Sequence, residues 1–198
     1  MITLLLVAIE SSVDRLLYNC VFPLLHRWSG NTTWGVCVGD VCLSSLSMNN
    51  SASSKPVNKT PDRLVALISS SELSSVQTVL STEFTLCHVA GAGYKLLGVC
   101  EDKAETYVLT KNSNYKWDCC GPHAILRALG GGIVKYQDLY NYTKTGQQDY
   151  SSLSQITYQE PDNNEVTGAL KWSNQGGVVA YRHSGMLSRI GQVVSKMD

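Results

Sequence analysis

Lys116-Trp117-Asp118-Cys119-Cys120-Gly121-Pro122-His123-Ala124-Ile125-Leu126-Arg127-Ala128-Leu129-Gly130-Gly131-Gly132 is the stretch from which the fold is read. Pro122 suits a first helical turn, where its missing N–H is not needed. Ala124, Ile125, Ala128 and Leu129 recur at helical spacing and make one apolar stripe. The glycines stop the helix, and Ile133-Val134 reads as a strand leaving that turn. Asp118 opens the helix. An acid there interacts favourably with the helix dipole and can cap a free backbone N–H. The same carboxylate is a candidate metal ligand, and the residues alone favour the cap.

Upstream, Leu64-Val65-Ala66-Leu67-Ile68 is a continuous apolar run, as expected of a strand covered on both faces. Ser69-Ser70-Ser71-Glu72 offers N-caps for a helix over 72–81, with Leu73, Val76 and Leu80 on one side. Leu86-Cys87-His88-Val89 reads as a second strand. Gly91-Ala92-Gly93 leads into a helix over 93–102. Small residues before a helix let backbone N–H groups approach an anion, and Lys95 adds a positive charge one turn in. Neither GxxxxGK[ST] nor GxGxxG occurs. Thr106–Thr110 is a further strand, 136–165 reads as polar and irregular, and a strand over 177–181 precedes a helix over 184–196. Alternating strands and helices imply a layered α/β/α sandwich.

Toward the N-terminus the pattern changes. The apolar run over 1–9 has no basic residue before it and ends at Glu10, so it is expected to be a buried strand rather than a signal peptide, and it is too short to span a bilayer. Leu16–Phe22 and Trp34–Val38 read as strands, the latter after a Ser29-Gly30-Asn31 turn and continued by Asp40–Leu43. Residues 44–61 hold six serines, three asparagines and two prolines, and are expected to be a flexible loop separating strands 1–43 from an α/β domain over 62–198. The chain of 198 residues has a formal net charge of zero, which argues against bulk electrostatic binding to nucleic acid or an anionic membrane. Seven cysteines lack zinc-ligand spacing and are expected to be free thiols in the reducing cytoplasm. His26, His88, His123 and His183 show no base-plus-nucleophile pattern, so packing roles are expected.

Three motifs taken together resemble a known family. The Gly91-Ala92-Gly93-Tyr94-Lys95 turn, the Lys116-Trp117-Asp118-Cys119 opening and the His123–Val134 helix with its glycine stop occur here in order. Asn174–Arg182 and the tryptophan-bearing Arg27–Gly35 are similar as well. Together they resemble the lithium-sensitive, magnesium-dependent inositol monophosphatase superfamily, in its inositol polyphosphate branch rather than its sister branch of 3′-phosphoadenosine 5′-phosphate phosphatases. The resemblance implies the C-terminal part of an α/β/α/β/α layered fold. It also implies removal of the 1-phosphate from inositol 1,4-bisphosphate and inositol 1,3,4-trisphosphate. It makes Asp118 a Mg²⁺ ligand and places Gly91, Ala92, Lys95 and Ser71 at the substrate. Where the family has a lysine two residues beyond that serine, this sequence has Leu73.

The family's upstream paired-acid and Asp-Pro-x-Asp motifs are not found: neither Glu-Glu nor Asp-Pro occurs. One carboxylate cannot build a two-metal clamp. The chain is therefore expected to be a partial form, or alternatively an inactive fragment that binds an inositol phosphate or a partner. Open apolar sheet edges are expected to promote self-association.

Overall fold

The computed structural model describes residues 9–10, 32–38, 40–49, 64–147, 149–159 and 165–197. The expected strand over 1–9 apart from Ile9, the strand Leu16–Phe22, the turn Ser29–Asn31, His26 and residues 50–63 lie outside them. β1 (Ile9–Glu10) pairs antiparallel with β2 (Thr32–Thr33). β3 (Gly35–Val38) and β4 (Val41–Ser44) form a hairpin. β4 runs directly into α1 (Ser45–Asn49), so the expected loop over 44–61 does not begin at 44. The Ser44 hydroxyl donates to the Trp34 carbonyl at 3.0 Å and accepts from Leu46 N–H at 3.2 Å, which turns the chain from strand to helix.

The α/β part begins with β5 (Leu64–Ile68), α2 (Ser74–Leu80), β6 (Phe84–His88), α3 (Ala92–Cys100), β7 (Thr106–Leu109) and α4 (Lys116–Ala128). It continues with β8 (Gly132–Lys135), α5 (Tyr136–Lys144), 3₁₀ turns at Tyr150–Ser152 and Gly168–Trp172, β9 (Val178–Tyr181) and α6 (Ser184–Val194). The sheet order is β6-β5-β7-β9-β8; β5 is parallel to β6 and β7, and β9 is antiparallel to both neighbours.

Side chains alternate across each strand, and both faces are covered. Ala66, Ile68, Val108 and Val179 pack with Val76 and Leu80 of α2, Leu139 of α5, and Leu187, Ile190 and Val194 of α6. Leu67, Tyr107, Leu109 and Ala180 pack on the other side with Leu96 and Val99 of α3 and Ile125 and Leu126 of α4. This is the expected α/β/α sandwich, and the β3–β4 hairpin adds a further layer outside α4. That approach requires glycine: a Cβ on Gly35 would lie 2.5 Å from Ile125 Cα.

Further expectations are corrected. The helix after β5 begins at Ser74 rather than 72, and no side chain caps it. The region over 136–165 is not irregular throughout, because Tyr136–Lys144 is helical with Leu139 and Thr143 buried. Cys37 and Cys42, directly opposite in the hairpin, are joined as a disulfide rather than free. Asp118 is the third residue of α4 rather than its first, and Pro122 lies inside the helix rather than in its first turn. Cys87, Cys100, Cys119 and Cys120 are free thiols, and burial pushes Cys100 and Cys119 up to about 12, which leaves them as inert core residues.

His123 has the packing role expected of it. Its Nε2 lies 3.0 Å from Gln155 Oε1 and its Nδ1 2.8 Å from the Tyr158 hydroxyl. Gln155 Oε1 also accepts from Ile133 N–H at 2.8 Å, so His123 clips the 155–158 segment to α4 and β8. An amide oxygen cannot donate, which assigns the ring proton to Nε2 and leaves Nδ1 accepting from Tyr158. Burial lowers this histidine from 6.5 to about 4. The unfolded chain therefore takes up the proton first, and stability present above about pH 6.5 is lost as pH falls toward 4. We expect a loss on the order of 3 kcal/mol across that window. Urea unfolding at pH 7.5 and 4.5 measures it; a His123→Gln variant with the same pH-dependent loss would remove His123 as the cause.

Candidate functional site

Because β5, β6 and β7 run parallel, their carboxyl ends share one edge of the sheet, and the chain leaves β5 with neighbours on both sides. In open α/β sheets such a switch point is where loops part and a crevice forms. Three segments meet there: Ser69–Leu73 after β5, Val89–Gly91 leading into α3, and Thr110–Tyr115 leading into α4.

The first segment is held from within. Glu72 is only 5% exposed, and its carboxylate accepts from Thr110 N–H at 3.2 Å and from the Thr110 hydroxyl at 2.6 Å. Gln77 Nε2 donates to the Glu72 carbonyl at 2.9 Å. Ser71 is left exposed, with its hydroxyl 2.9 Å from that of Ser69, and the Lys111 ammonium donates to its carbonyl.

In the second segment Gly91 adopts φ of +82°, a conformation that side chains disfavour, and Ala92 is the first residue of α3. Lys95 is buried, donates from Nζ to the Val89 carbonyl at 3.0 Å, and lies 5.2 Å from the centroid of the Tyr107 ring. Burial holds its ammonium below the usual range, and the nearby Glu72 charge works against that shift.

The third segment carries Asp118. Its Oδ2 accepts from Tyr115 N–H at 2.8 Å, so the carboxylate caps α4. Tyr115 and Trp117 stack at 4.6 Å, and beneath them Asn114 and Asn174 both donate to Cys119 Sγ, at 3.3 and 3.4 Å. Tyr107 links the segments: burial raises its hydroxyl most, and Cys119, Glu72 and Asp118 all add to that rise. The structure thus brings Ser71, Gly91, Ala92, Lys95 and Asp118 to one edge. Glu72, Thr110 and Lys111, which the sequence reading did not single out, build the same edge. The signal available was an acid directly after an apolar strand and its serines.

The metal fits this donor set incompletely. Asp118 Oδ2 is committed to a backbone N–H, and both oxygens of Glu72 are committed to Thr110. Among the described residues no group of three or more His, Cys, Asp or Glu side chains could hold a metal ion. A Mg²⁺ ion needs six oxygen ligands, and Asp118 offers one carboxylate.

The α/β sandwich thus carries a serine-bearing turn, a glycine-bearing turn and the capped start of α4 at one carboxyl edge. The chain belongs to the inositol monophosphatase family, which residues 19–184 match. It is 35% identical over 164 residues to inositol polyphosphate 1-phosphatase of Mus musculus, across 79% of this chain and 40% of that protein. The Homo sapiens protein of the same name is 32% identical over 171 residues, 81% of this chain and 42% of its own length. The chain spans less than half the length of these relatives. The solved inositol monophosphatase from Anabaena (Nostoc) sp. PCC 7120 is similar at a TM-score of 0.45 and 10% identity, covering 69% of this chain and 45% of that one.

Replacing Glu72 by Ala leaves both Thr110 donors without an acceptor, and we expect a loss of about 1–3 kcal/mol. Thermal unfolding checks this, and a Glu72→Ala protein that melts at the wild-type temperature would show that the two loops are not held through Glu72.

Proposed function

We propose that this chain supplies the substrate wall of a Mg²⁺-dependent phosphatase that removes the 1-phosphate of inositol 1,4-bisphosphate and inositol 1,3,4-trisphosphate. Support comes from the convergence of Ser71, Gly91, Ala92, Lys95 and Asp118 on one sheet edge, together with membership of the family. In this reading the free N–H groups at the start of α3 face a phosphate oxygen. Lys95, with one N–H on Val89, has two left and adds its charge from a desolvated position. Asp118 is one Mg²⁺ ligand through the oxygen not used in capping. The described residues do not by themselves complete the ion's shell.

A second reading has its own observation. With no three-acid group among the described residues, the chain in this reading binds an inositol phosphate or a partner without turning substrate over. Assay with inositol 1,4-bisphosphate over a Mg²⁺ series separates the two. Phosphate release that Asp118→Asn abolishes supports the first. A rise in melting temperature with ligand but no release supports the second, and neither signal would sink both.

We further propose that a second copy of this chain covers the hairpin. Val36, Val38, Val41 and Leu43 share its outer face, where Val38, Val41 and Leu43 are exposed. Among the described residues that face carries no charged side chain, and the whole chain has zero net charge, so two copies do not repel there. Light scattering should give a mass that rises with concentration, and Val41→Glu should restore the monomer; a wild-type monomer throughout would reject the contact. No helix among the described residues is long and apolar enough to cross a membrane.

A further inference from the structure

We propose that Lys111, with the hydroxyls of Ser69 and Ser71, forms a second anion subsite that takes a phosphate monoester other than the one removed. It would thereby select a polyphosphorylated polyol over a monophosphate. The inference rests on the phosphatase reading above and names a residue to which that reading gives no role.

The unspent donors carry the argument. The Ser69 and Ser71 hydroxyls lie 2.9 Å apart, and Ser69 Oγ also accepts from Ser71 N–H at 3.3 Å. Two hydroxyls have two protons, and their mutual contact uses one. The other has no acceptor among the described residues. The Lys111 ammonium has three N–H groups and places one on the Ser71 carbonyl. No carboxylate among the described residues forms an ion pair with it. Hydroxyl and ammonium donors therefore converge on one exposed turn.

The nearest acid does not cancel that charge. Glu72 is turned inward, and both its oxygens are taken by Thr110. The residue that follows, Leu73, is 59% exposed and apolar, so it offers an anion nothing. Lys111 reaches the turn from the neighbouring strand end, and Thr110, the residue before it, is fixed on Glu72. The latch that joins the two loops thus also delivers the cation. Lysine binds phosphate as a point charge, and serine hydroxyls supply the directional bonds.

Calorimetric titration of the full chain with inositol 1,4-bisphosphate and with inositol 1-phosphate tests this, comparing wild type, Lys111→Gln and Lys111→Arg. The quantity read is the ratio of the two affinities. We expect wild type to favour the bisphosphate and Lys111→Gln to lower the ratio by about tenfold, the scale of one charge-assisted hydrogen bond. Lys111→Arg should recover most of it. A purely structural role for Lys111 would lower the melting temperature and weaken both ligands together, leaving the ratio unchanged, and that result overturns the subsite. If wild type binds neither compound, the phosphatase reading fails and the subsite with it; an unchanged ratio with both bound removes the subsite alone.

Discussion

The Glu72 carboxylate joins two strand ends that would otherwise be only neighbours. β5 and β7 are adjacent and parallel, so their loops leave the sheet side by side, but their ladder pairs only Ala66 with Thr106 and Leu67 with Tyr107. A buried carboxylate is costly unless donors meet it, and Thr110 meets this one with its backbone N–H and its hydroxyl. The inward turn of Glu72 leaves Ser71 facing out. Fixing Thr110 carries Lys111 onto the Ser71 carbonyl. The exposure of the serines and the placement of the lysine follow from one buried ion meeting its donors.

The sequence predicts the elements whose causes are local. Leu64–Ile68 reads as a strand because cover on both faces demands an unbroken apolar run, and the Gly130–Gly132 stop is visible because glycine is. The start of α2 is not visible. Ser69 and Ser71 have the chemistry of helix caps, and the interaction that takes Glu72 away from that role comes from Thr110, 38 residues later. α5 is hidden for a different reason. Its covered side is Leu139 with half-buried Tyr136 and Tyr140, so tyrosine rings supply apolar surface in a segment that counts as polar. The Cys37–Cys42 pairing depends on the hairpin register, which sets the two cysteines opposite each other and which neither residue announces by type or spacing.

At Asp118 the two roles open in the sequence are compatible in the structure. A carboxylate has two oxygens, and capping uses Oδ2 on Tyr115 N–H. The cap restricts rotation of the group, so its other oxygen has a fixed direction, and a fixed direction is what a metal ligand needs. The buried Asn114–Asn174–Cys119 cluster beneath stiffens the same turn. The acid adds a charge that reaches Tyr107 and Cys119 through the core.

The two lysines at this edge would act on an anion in different ways. Lys95 is buried, held by the Val89 carbonyl, and close to the Tyr107 ring. Little water screens it, so its field is strong at short range and insensitive to salt, and its direction is set before a ligand arrives. Lys111 is half-buried on a loop, tied at one N–H, with the remainder free to follow a ligand. Solvent screens it, so its pull weakens as ionic strength rises. A crevice with one fixed and one adaptable cation can hold a first phosphate rigidly and accept a second at variable reach. In the proposed function, that division would suit inositol phosphates in which the spacing between phosphates differs around one ring.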